Sequence, residues 1–308
     1  MMDRQGHVRD FLELTKPRIT LMVLLSSSVG YLLGTRGSVD PAGWLVAILG
    51  IALVAGGTSA LNQVLERDVD AKMTRTRGRP IPAGRLGALP ATVFSLALSL
   101  AGIGLLAVLV NGLTAGLAGI ALVLYVGVYT PLKPLASFAT VVGAIPGALP
   151  IVGGWTAASG ELGAGAWALF GILFFWQLPH FLALAWLYRD DYRAGGLRML
   201  TVTDPTGSQA GHQSVLYALA LLPTSLLPAV LGLSGLTYAV AALGLTGAYL
   251  ASAVRFARRT DGVAARRLFR TSLLYLPLLL IALAVDGGPV RGGGHASAQA
   301  AVAASLVP

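Results

Sequence analysis

Hydrophobic residues run along this chain in long uninterrupted stretches instead of alternating with polar ones. No charged residue occurs in 86–132 or in 205–254, and 134–188 contains only Glu161. A helix needs roughly 20 mostly apolar residues to cross a bilayer. The pattern predicts nine spanning helices, at residues 19–34, 43–66, 88–110, 115–130, 137–157, 164–187, 214–233, 236–254 and 271–285.

Composition supports this interpretation. Of the 308 residues, 55% are hydrophobic and only 11% are charged, whereas an ordinary soluble domain carries about 25% charged residues. The 39 glycines suit close packing between helices in lipid. We therefore expect an all-α fold, a polytopic membrane helical bundle whose single domain covers 1–286. A disordered tail is expected at 287–308.

Other function classes are excluded or disfavoured by the same composition. The chain has no cysteine, which excludes disulfides, thiol nucleophiles and cysteine-ligated metal clusters. Its net charge of +9 could suit nucleic acid, but no polar domain carries that charge, so no nucleic-acid partner is expected. The first apolar stretch begins 18 residues into the chain and opens a series of spans, so a cleaved signal peptide is not expected.

The few basic residues lie almost entirely on one side of the predicted membrane. The other side receives only Arg36 and Arg291. Because basic residues concentrate in cytoplasmic loops, we expect a multi-pass protein of the cell (inner) membrane, with a cytoplasmic N-terminus and an outer C-terminus. The cytoplasmic basic residues are Arg4, Arg9, Lys16, Arg18, Arg67, Lys72, Arg75, Arg77, Arg79, Arg85, Lys133, Arg189, Arg193, Arg198, Arg255, Arg258, Arg259, Arg266, Arg267 and Arg270.

A polar stripe enters the membrane at the cytoplasmic end of span two. Asn62, Glu66 and Asp70 follow one another at four-residue steps, which on a helix turn only about 40° each. Their oxygens suit Mg²⁺, which takes one or two carboxylates together with waters and substrate phosphates. The stripe therefore predicts half of a metal site on the cytoplasmic side.

A basic loop follows the stripe at once, with Lys72, Arg75, Arg77 and Arg79. Carboxylates beside arginines are explained if a metal and an anion lie between them, and arginine forks bind phosphate groups well. A magnesium diphosphate satisfies both groups. The alternative is an ordinary cytoplasmic loop whose charges set only the topology.

A second group of polar residues lies at the end of span six. Gln177 and His180 are three residues apart and share a helix face, and Asp190 with Asp191 could supply a second carboxylate cluster. Ionisable groups in a span are functional candidates. The alternatives are solvated ion pairs with neighbouring arginines for the two acids, and a hydrogen bond between helices for His180, which could instead contact a porphyrin.

Two further cytoplasmic positions carry candidate chemistry. Tyr129 and Lys133 close span four and could offer a phenol and an ammonium to a phosphate or a carbocation, or serve as an interfacial anchor. Lys16 opens span one, where its side chain is explained by reaching to the membrane surface.

The set of motifs resembles the UbiA-type intramembrane prenyltransferases, and within them the branch that farnesylates haem. The resemblance runs from about residue 10 to 285. It rests on the Asn62, Glu66 and Asp70 spacing with the 75–80 segment Arg-Thr-Arg-Gly-Arg-Pro, on 176–181 (Trp-Gln-Leu-Pro-His-Phe), on 188–192 (Tyr-Arg-Asp-Asp-Tyr) with Gly195, on 129–133 (Tyr-Thr-Pro-Leu-Lys) and on 16–18 (Lys-Pro-Arg).

The resemblance implies a Mg²⁺-dependent transfer of farnesyl from farnesyl diphosphate to the vinyl group of haem B, giving haem O. It implies contacts with membrane lipid and a downstream haem A synthase or terminal oxidase assembly. The implied catalytic residues are Asn62, Glu66, Asp70, Asp190 and Asp191, with Asn62, Glu66, Asp70 and Asp191 on the metal. The diphosphate would contact Lys72, Arg75, Arg79, Lys133 and Tyr129, and the haem would contact His180, Gln177 and Tyr188.

Some positions depart from the pattern of these relatives. Residues 134–137 are less basic than usual, and Thr201 follows Arg198-Met199-Leu200 where many relatives have proline. His180 stands where quinone-type relatives have an acid. Two alternatives therefore stay open: a prenyltransferase for a quinone precursor or another aromatic or tetrapyrrole acceptor, and a membrane transporter of an anionic solute.

Overall fold

The structure is a computed structural model that describes residues 4–35 and 38–287. The tail expected at 287–308 lies, after Gly287, outside the described residues, and so do Arg36 and Arg291. The domain boundary expected after residue 286 stays a prediction.

The described part of the chain is helical, with no strand, and nine of its helices are long and apolar enough to cross a membrane. The all-α bundle with nine spans is therefore confirmed. We label them α1 Pro17–Gly34, α2 Pro41–Leu65, α3 Ala88–Leu109, α4 Gly112–Leu132, α5 Ala139–Ser159, α6 Ala164–Leu187, α7 Ser208–Val230, α8 Leu236–Arg259 and α9 Gly262–Asp286. Short helices cover Arg4–Leu14, Arg67–Asp70, Arg189–Ala194 and Leu200–Thr203.

Most predicted boundaries lie within three residues of the observed ones, but the last three spans are longer than predicted. Helix α7 begins at Ser208 and α9 at Gly262, while α8 continues to Arg259. The six arginines predicted to follow span eight in fact lie on the ends of α8 and α9. Charged residues mark where a helix leaves the hydrocarbon, but the helix itself continues into water.

Local sequence explains several helix starts. Pro17 and Pro41 occupy first-turn positions, where a missing N–H costs no hydrogen bond. Asp40 accepts a hydrogen bond from the backbone N–H of Ala42, and Asp261 accepts one from that of Ala264. These carboxylates cap the first turns of α2 and α9.

Helix α4 is not regular throughout. Its segment Leu124–Tyr129 is π-helical, a rare form that occurs mostly as single turns at functional sites. The extra backbone residue in that turn changes the direction of the residues that follow. Tyr129 and Lys133 stand at the end of this distortion, at the cytoplasmic end predicted for α4.

Small residues bring α1 and α5 into backbone contact. A Cβ on Gly30 would collide with the carbonyl oxygen of Ile151, and one on Gly154 would collide with that of Ser27. Only glycine permits this approach. The contact holds α1 closely against α5.

The loops after α2, α4 and α6 meet at one end of the bundle. The backbone N–H of Arg198 donates to the carbonyl of Lys133 at 3.0 Å, and Met73 packs in a buried apolar cluster with Leu197 and Met199. Arg85 joins the first of these loops to the N-terminal helix, because its guanidinium donates to Asp10 at 2.8 Å. The predicted site motifs that lie in these loops therefore stand at one end of the bundle.

Candidate active site

The polar stripe is buried at the end of α2. Asn62, Glu66 and Asp70 are only 1%, 9% and 0% exposed. Helical hydrogen bonds continue past the end of α2, from the N–H of Glu66 to the carbonyl of Asn62 at 2.9 Å and from that of Asp70 to Glu66 at 2.7 Å. The four-residue steps therefore keep these residues on one face.

Each residue of the stripe is paired with a cation of the chain itself. Lys133 donates from Nζ to Glu66 Oε1 at 2.6 Å, and Arg79 donates from Nη1 to Asp70 Oδ2 at 2.5 Å. Lys16 donates from Nζ to Asn62 Oδ1 at 3.2 Å. Three cations and two carboxylates are thus concentrated in one protein interior.

Neighbouring groups fix the orientation of the stripe. The Asn62 amide donates from Nδ2 to Thr130 Oγ1 at 3.1 Å. Because this donor is fixed, the amide oxygen faces Lys16. On α4, the Lys133 ammonium lies 4.4 Å from the centre of the Tyr129 ring, a cation–π contact. Lys133 is therefore held by both Glu66 and Tyr129.

The two lysines of the site have opposite pKa shifts. Burial lowers the pKa of Lys16 to about 7, and the positive charges of Arg79 and Lys133 act in the same direction. Burial also acts against the charge of Lys133, but interactions with Tyr129 and Glu66 raise its pKa above the ordinary value. The difference follows from their partners, since Lys133 contacts a carboxylate and Lys16 a neutral amide.

The second acidic pair separates into two different environments. Asp191 accepts hydrogen bonds from the backbone N–H groups of Thr74 and Arg75, both at 3.1 Å. Its carboxylate thereby holds the basic loop against the end of α6. Asp190 is 80% exposed and forms an ion pair with Arg193 at 2.8 Å. The catalytic roles of both acids, and the metal role of Asp191, stay predictions.

The basic loop presents its side chains unequally. Arg79 reaches the stripe and is only 20% exposed, whereas Lys72, Arg75 and Arg77 are exposed. Arg75 lies over the ring of Tyr188, 5.0 Å from its centre. The structure therefore joins Arg79 to the carboxylates and leaves the other cations of the loop at its surface.

The α6 residues predicted to contact haem lie in a separate aromatic region. Gln177 is buried and donates from Nε2 to the carbonyl of Ala144 on α5 at 2.8 Å. The His180 ring is stacked between Trp176 and Phe269, and its Nδ1 lies 2.7 Å from Ser272 Oγ on α9. The alternative of a hydrogen bond between helices is thus realised, while contact with haem stays a prediction.

Sequence reasoning missed the place of Lys16 and Thr130 in the site. Lys16 was explained by its position at the membrane surface, yet its ammonium contacts Asn62. Thr130, an uncharged residue three positions before Lys133, supplies the acceptor for the Asn62 amide. The available signal was topological, since α1 begins and α2 ends on the same side of the membrane.

The donor set of the stripe fits Mg²⁺. Asp70 Oδ1 is a buried carboxylate oxygen that no donor reaches within the described residues. No group of three Asp, Glu or His side chains comes together there either. Two carboxylates and one amide are nevertheless sufficient for Mg²⁺, because this ion keeps several waters or substrate phosphate oxygens as ligands.

The sequence and fold both have close counterparts among known proteins. The family model described as "UbiA prenyltransferase family" matches residues 23–279. A protein named protoheme IX farnesyltransferase from Solibacter usitatus is 46% identical over 288 residues, covering 91% of this chain and 99% of the relative. A protein of the same name from Salinibacter ruber is 46% identical, with 90% and 98% covered.

Solved structures share the fold at low sequence identity. A digeranylgeranylglyceryl phosphate synthase has a TM-score of 0.77 at 15% identity and covers 91% of this chain and 98% of its own. A UbiA homolog from Archaeoglobus fulgidus, bound to DMAPP and Mg²⁺, has a TM-score of 0.66 at 16% identity, with 90% and 99% covered. These similarities establish the arrangement of the helices.

Proposed function

This chain belongs to the UbiA prenyltransferase family, and we propose that within it the chain transfers a farnesyl group from farnesyl diphosphate to the vinyl group of protohaem IX (haem B). The products are haem O and diphosphate. The observation that carries the choice of acceptor is the similarity to proteins named protoheme IX farnesyltransferase, at 41–46% identity over about 90% of the chain.

The site supports the diphosphate half of this reaction. Lys133 and Arg79 place positive charge beside Glu66 and Asp70, so a metal and an anion can be bound side by side. Asn62, Glu66 and Asp70 would hold Mg²⁺, an ion that is bound in the structure of the similar UbiA homolog from Archaeoglobus fulgidus. When bound, the metal supplies neutralisation of the charge that develops on the leaving diphosphate.

The transfer conserves atoms and electrons as follows. The bond between C1 of the farnesyl group and the diphosphate oxygen breaks, and its electron pair leaves with the diphosphate. C1 forms a bond to the terminal vinyl carbon of haem B. Water adds as hydroxyl to the other vinyl carbon and releases a proton, which gives the hydroxyethylfarnesyl group of haem O.

The chain's own residues lower the barrier to the first step. Arg79 and Lys133, both largely buried, would stabilise the departing diphosphate with oriented charges that need little reorganisation. The exposed side chains of Lys72 and Arg75 would contact it from the cytoplasmic surface. The Tyr129 ring, next to Lys133, would face the developing allylic cation, and the apolar bundle would hold the farnesyl tail away from water.

The acceptor half of the site is assigned to the end of α6. Ser272 Oγ donates to the carbonyl of Phe269 at 2.6 Å, so its lone pair would accept a proton from His180 Nδ1. This arrangement would leave Nε2 of His180 with a free lone pair toward haem, which is how second-shell partners orient metal-ligating histidines. Gln177 and Tyr188 complete the proposed haem contacts.

Orientation and partners follow from the charge distribution and the family. We propose an active site facing the cytoplasm, since the loops of the site carry the basic residues that favour this side. The protein would act in the cell (inner) membrane and pass haem O to a haem A synthase or a terminal oxidase assembly.

The test is direct detection of product. Membranes from cells expressing the chain would be incubated with haem B, farnesyl diphosphate and Mg²⁺. The haems would then be separated by chromatography and identified by mass spectrometry. We expect haem O, and we expect Glu66→Gln to reduce its formation by about 100-fold or more. Glu161→Gln, the same change between α5 and α6 at the opposite end, is the control. Absence of farnesylated haem with the unmodified chain would refute the proposal.

A further inference from the structure

Each of the three predicted metal ligands is hydrogen-bonded to a different cationic side chain of the protein. Lys16 contacts Asn62, Lys133 contacts Glu66, and Arg79 contacts Asp70. The cations come from the start of α1, the end of α4 and the loop after α2. Three separate segments thus converge on three positions spaced by one helical turn, although only Lys133 and Arg79 are expected to bind diphosphate.

Lys16 is held in an unfavourable backbone conformation. Its φ of 49° and ψ of 64° lie in the left-handed region, and it is the only non-glycine residue with positive φ among those the structure describes. This conformation brings the Cβ of an L-residue close to the following carbonyl oxygen, and a following proline restricts the backbone further. Strain of this kind persists where the surroundings enforce it, commonly at functional sites.

We propose that Lys16 is a further diphosphate-binding residue, and that Lys16, Lys133 and Arg79 are internal counter-cations that pass from the metal ligands to the diphosphate when a magnesium diphosphate enters. This inference rests on the proposed function. In it, the amide and carboxylate oxygens turn from the cations of the chain to the metal. The cations, released from these oxygens, bind the phosphate oxygens beside it.

The charges of the site agree with such an exchange. With Lys16 protonated, three cations and two carboxylates leave one net positive charge. A divalent metal raises this to three. A prenyl diphosphate carries roughly three negative charges near neutral pH, because its terminal phosphate ionises with a pKa near 6. The complete assembly is therefore close to neutral, as a partly buried site requires.

Each ligand alone meets repulsion. The metal alone would face three cations, and the diphosphate alone would face two carboxylates, in an interior where charges interact more strongly than in water. Binding of one therefore raises the affinity of the site for the other, and the factor must be the same in both directions. We expect the metal and diphosphate to bind as a pair, each more weakly when the other is absent.

Replacing Lys16 separates this role from a purely structural one. Lys16→Met removes one positive charge and keeps the length of the side chain and the backbone strain. Diphosphate should then bind more weakly, because it loses a charge-assisted hydrogen bond. The metal alone should bind more tightly, because it meets one cation fewer. A structural role would weaken both.

The experiment uses the full-length protein in nanodiscs, with Mn²⁺ and inorganic diphosphate as probes. Electron paramagnetic resonance counts free Mn²⁺, and calorimetry measures diphosphate binding with and without the metal. For the unmodified protein, each probe should tighten the other by about 10-fold or more. In Lys16→Met, diphosphate affinity with Mn²⁺ should fall roughly 10- to 100-fold, and the affinity for Mn²⁺ alone should rise several-fold.

Two further variants complete the design. Lys16→Arg retains the charge and should restore the coupling, even if Lys16→Met unfolds. Arg9→Met removes an exposed cation of the N-terminal helix and should behave as the unmodified protein. Independent binding of the two probes, or weakening of both in Lys16→Met, would overturn the exchange and leave the proposed function standing. If the two probes together do not bind the unmodified protein, both proposals fail.

Discussion

The ion pair between Lys133 and Glu66 should be strongly coupled because it is buried. Its atoms lie 2.6 Å apart, and the side chains are only 12% and 11% exposed. Removing one partner from a buried pair leaves an uncompensated charge and typically costs about 3–5 kcal/mol. Since about a tenth of each side chain stays accessible, we expect Lys133→Met to lower the free energy of unfolding by about 3 kcal/mol.

The double substitution should be far less damaging than the sum of the two single ones. Lys133→Met with Glu66→Gln removes both charges, so neither remains buried without a partner. We expect a coupling of about 2 kcal/mol or more in a double-mutant cycle. Unfolding would be followed by circular dichroism during titration of mixed micelles with a denaturing detergent. All three variants should be inactive although their stabilities differ, so the loss of activity cannot be explained by the loss of stability.

A matched control exists in the same protein. Arg193 and Asp190 lie 2.8 Å apart, nearly the same distance, but their side chains are 56% and 80% exposed. Exposed pairs of this kind couple by only about 0.2–1 kcal/mol. The reasoning from burial fails if the two cycles give similar couplings, or if the Lys133 and Glu66 substitutions are additive.

Two other predictions concern the edges of the site. Asp191→Ala removes the acceptor of the Thr74 and Arg75 amides. Trypsin should then cleave the basic loop faster, and diphosphate affinity should fall about 10-fold. A cleavage rate no faster than that of the control Asp68→Ala, which changes an exposed carboxylate, would contradict this role. Ser272→Ala removes the partner of His180 Nδ1. The absorption spectrum of bound haem should then shift and the affinity of the protein for haem should fall, while diphosphate binding is retained. A spectrum identical to that of the unmodified protein would argue against His180 as a haem contact.

The spans were predictable because lipid imposes a simple condition on sequence. Every backbone group in the membrane needs a partner within its own helix, so long apolar stretches become helices. The condition applies to the hydrocarbon alone. It therefore predicted the boundaries of α2 and α6 closely. It ended span eight at Val254, however, whereas the helix continues to Arg259.

The partners in the site could not be predicted in the same way. Asn62, Glu66 and Asp70 share a face because of their local spacing, which the sequence contains. Their partners Lys16 and Lys133 lie 46 residues before Asn62 and 67 residues after Glu66. Helices that are apolar all round carry no periodic pattern to indicate which faces meet. These pairings depend on contacts such as that of Gly30 with α5.

Burial separates the charges that set topology from the charges that belong to the site. The six arginines at the ends of α8 and α9 are all exposed, and the positive-inside tendency explains them fully. Arg79 and Lys133 are instead 20% and 12% exposed and are paired with carboxylates. Burying a charged side chain in such an interior costs free energy because the charge loses its hydration. The retention of these cations beside the stripe is therefore an independent reason to expect an anionic substrate there.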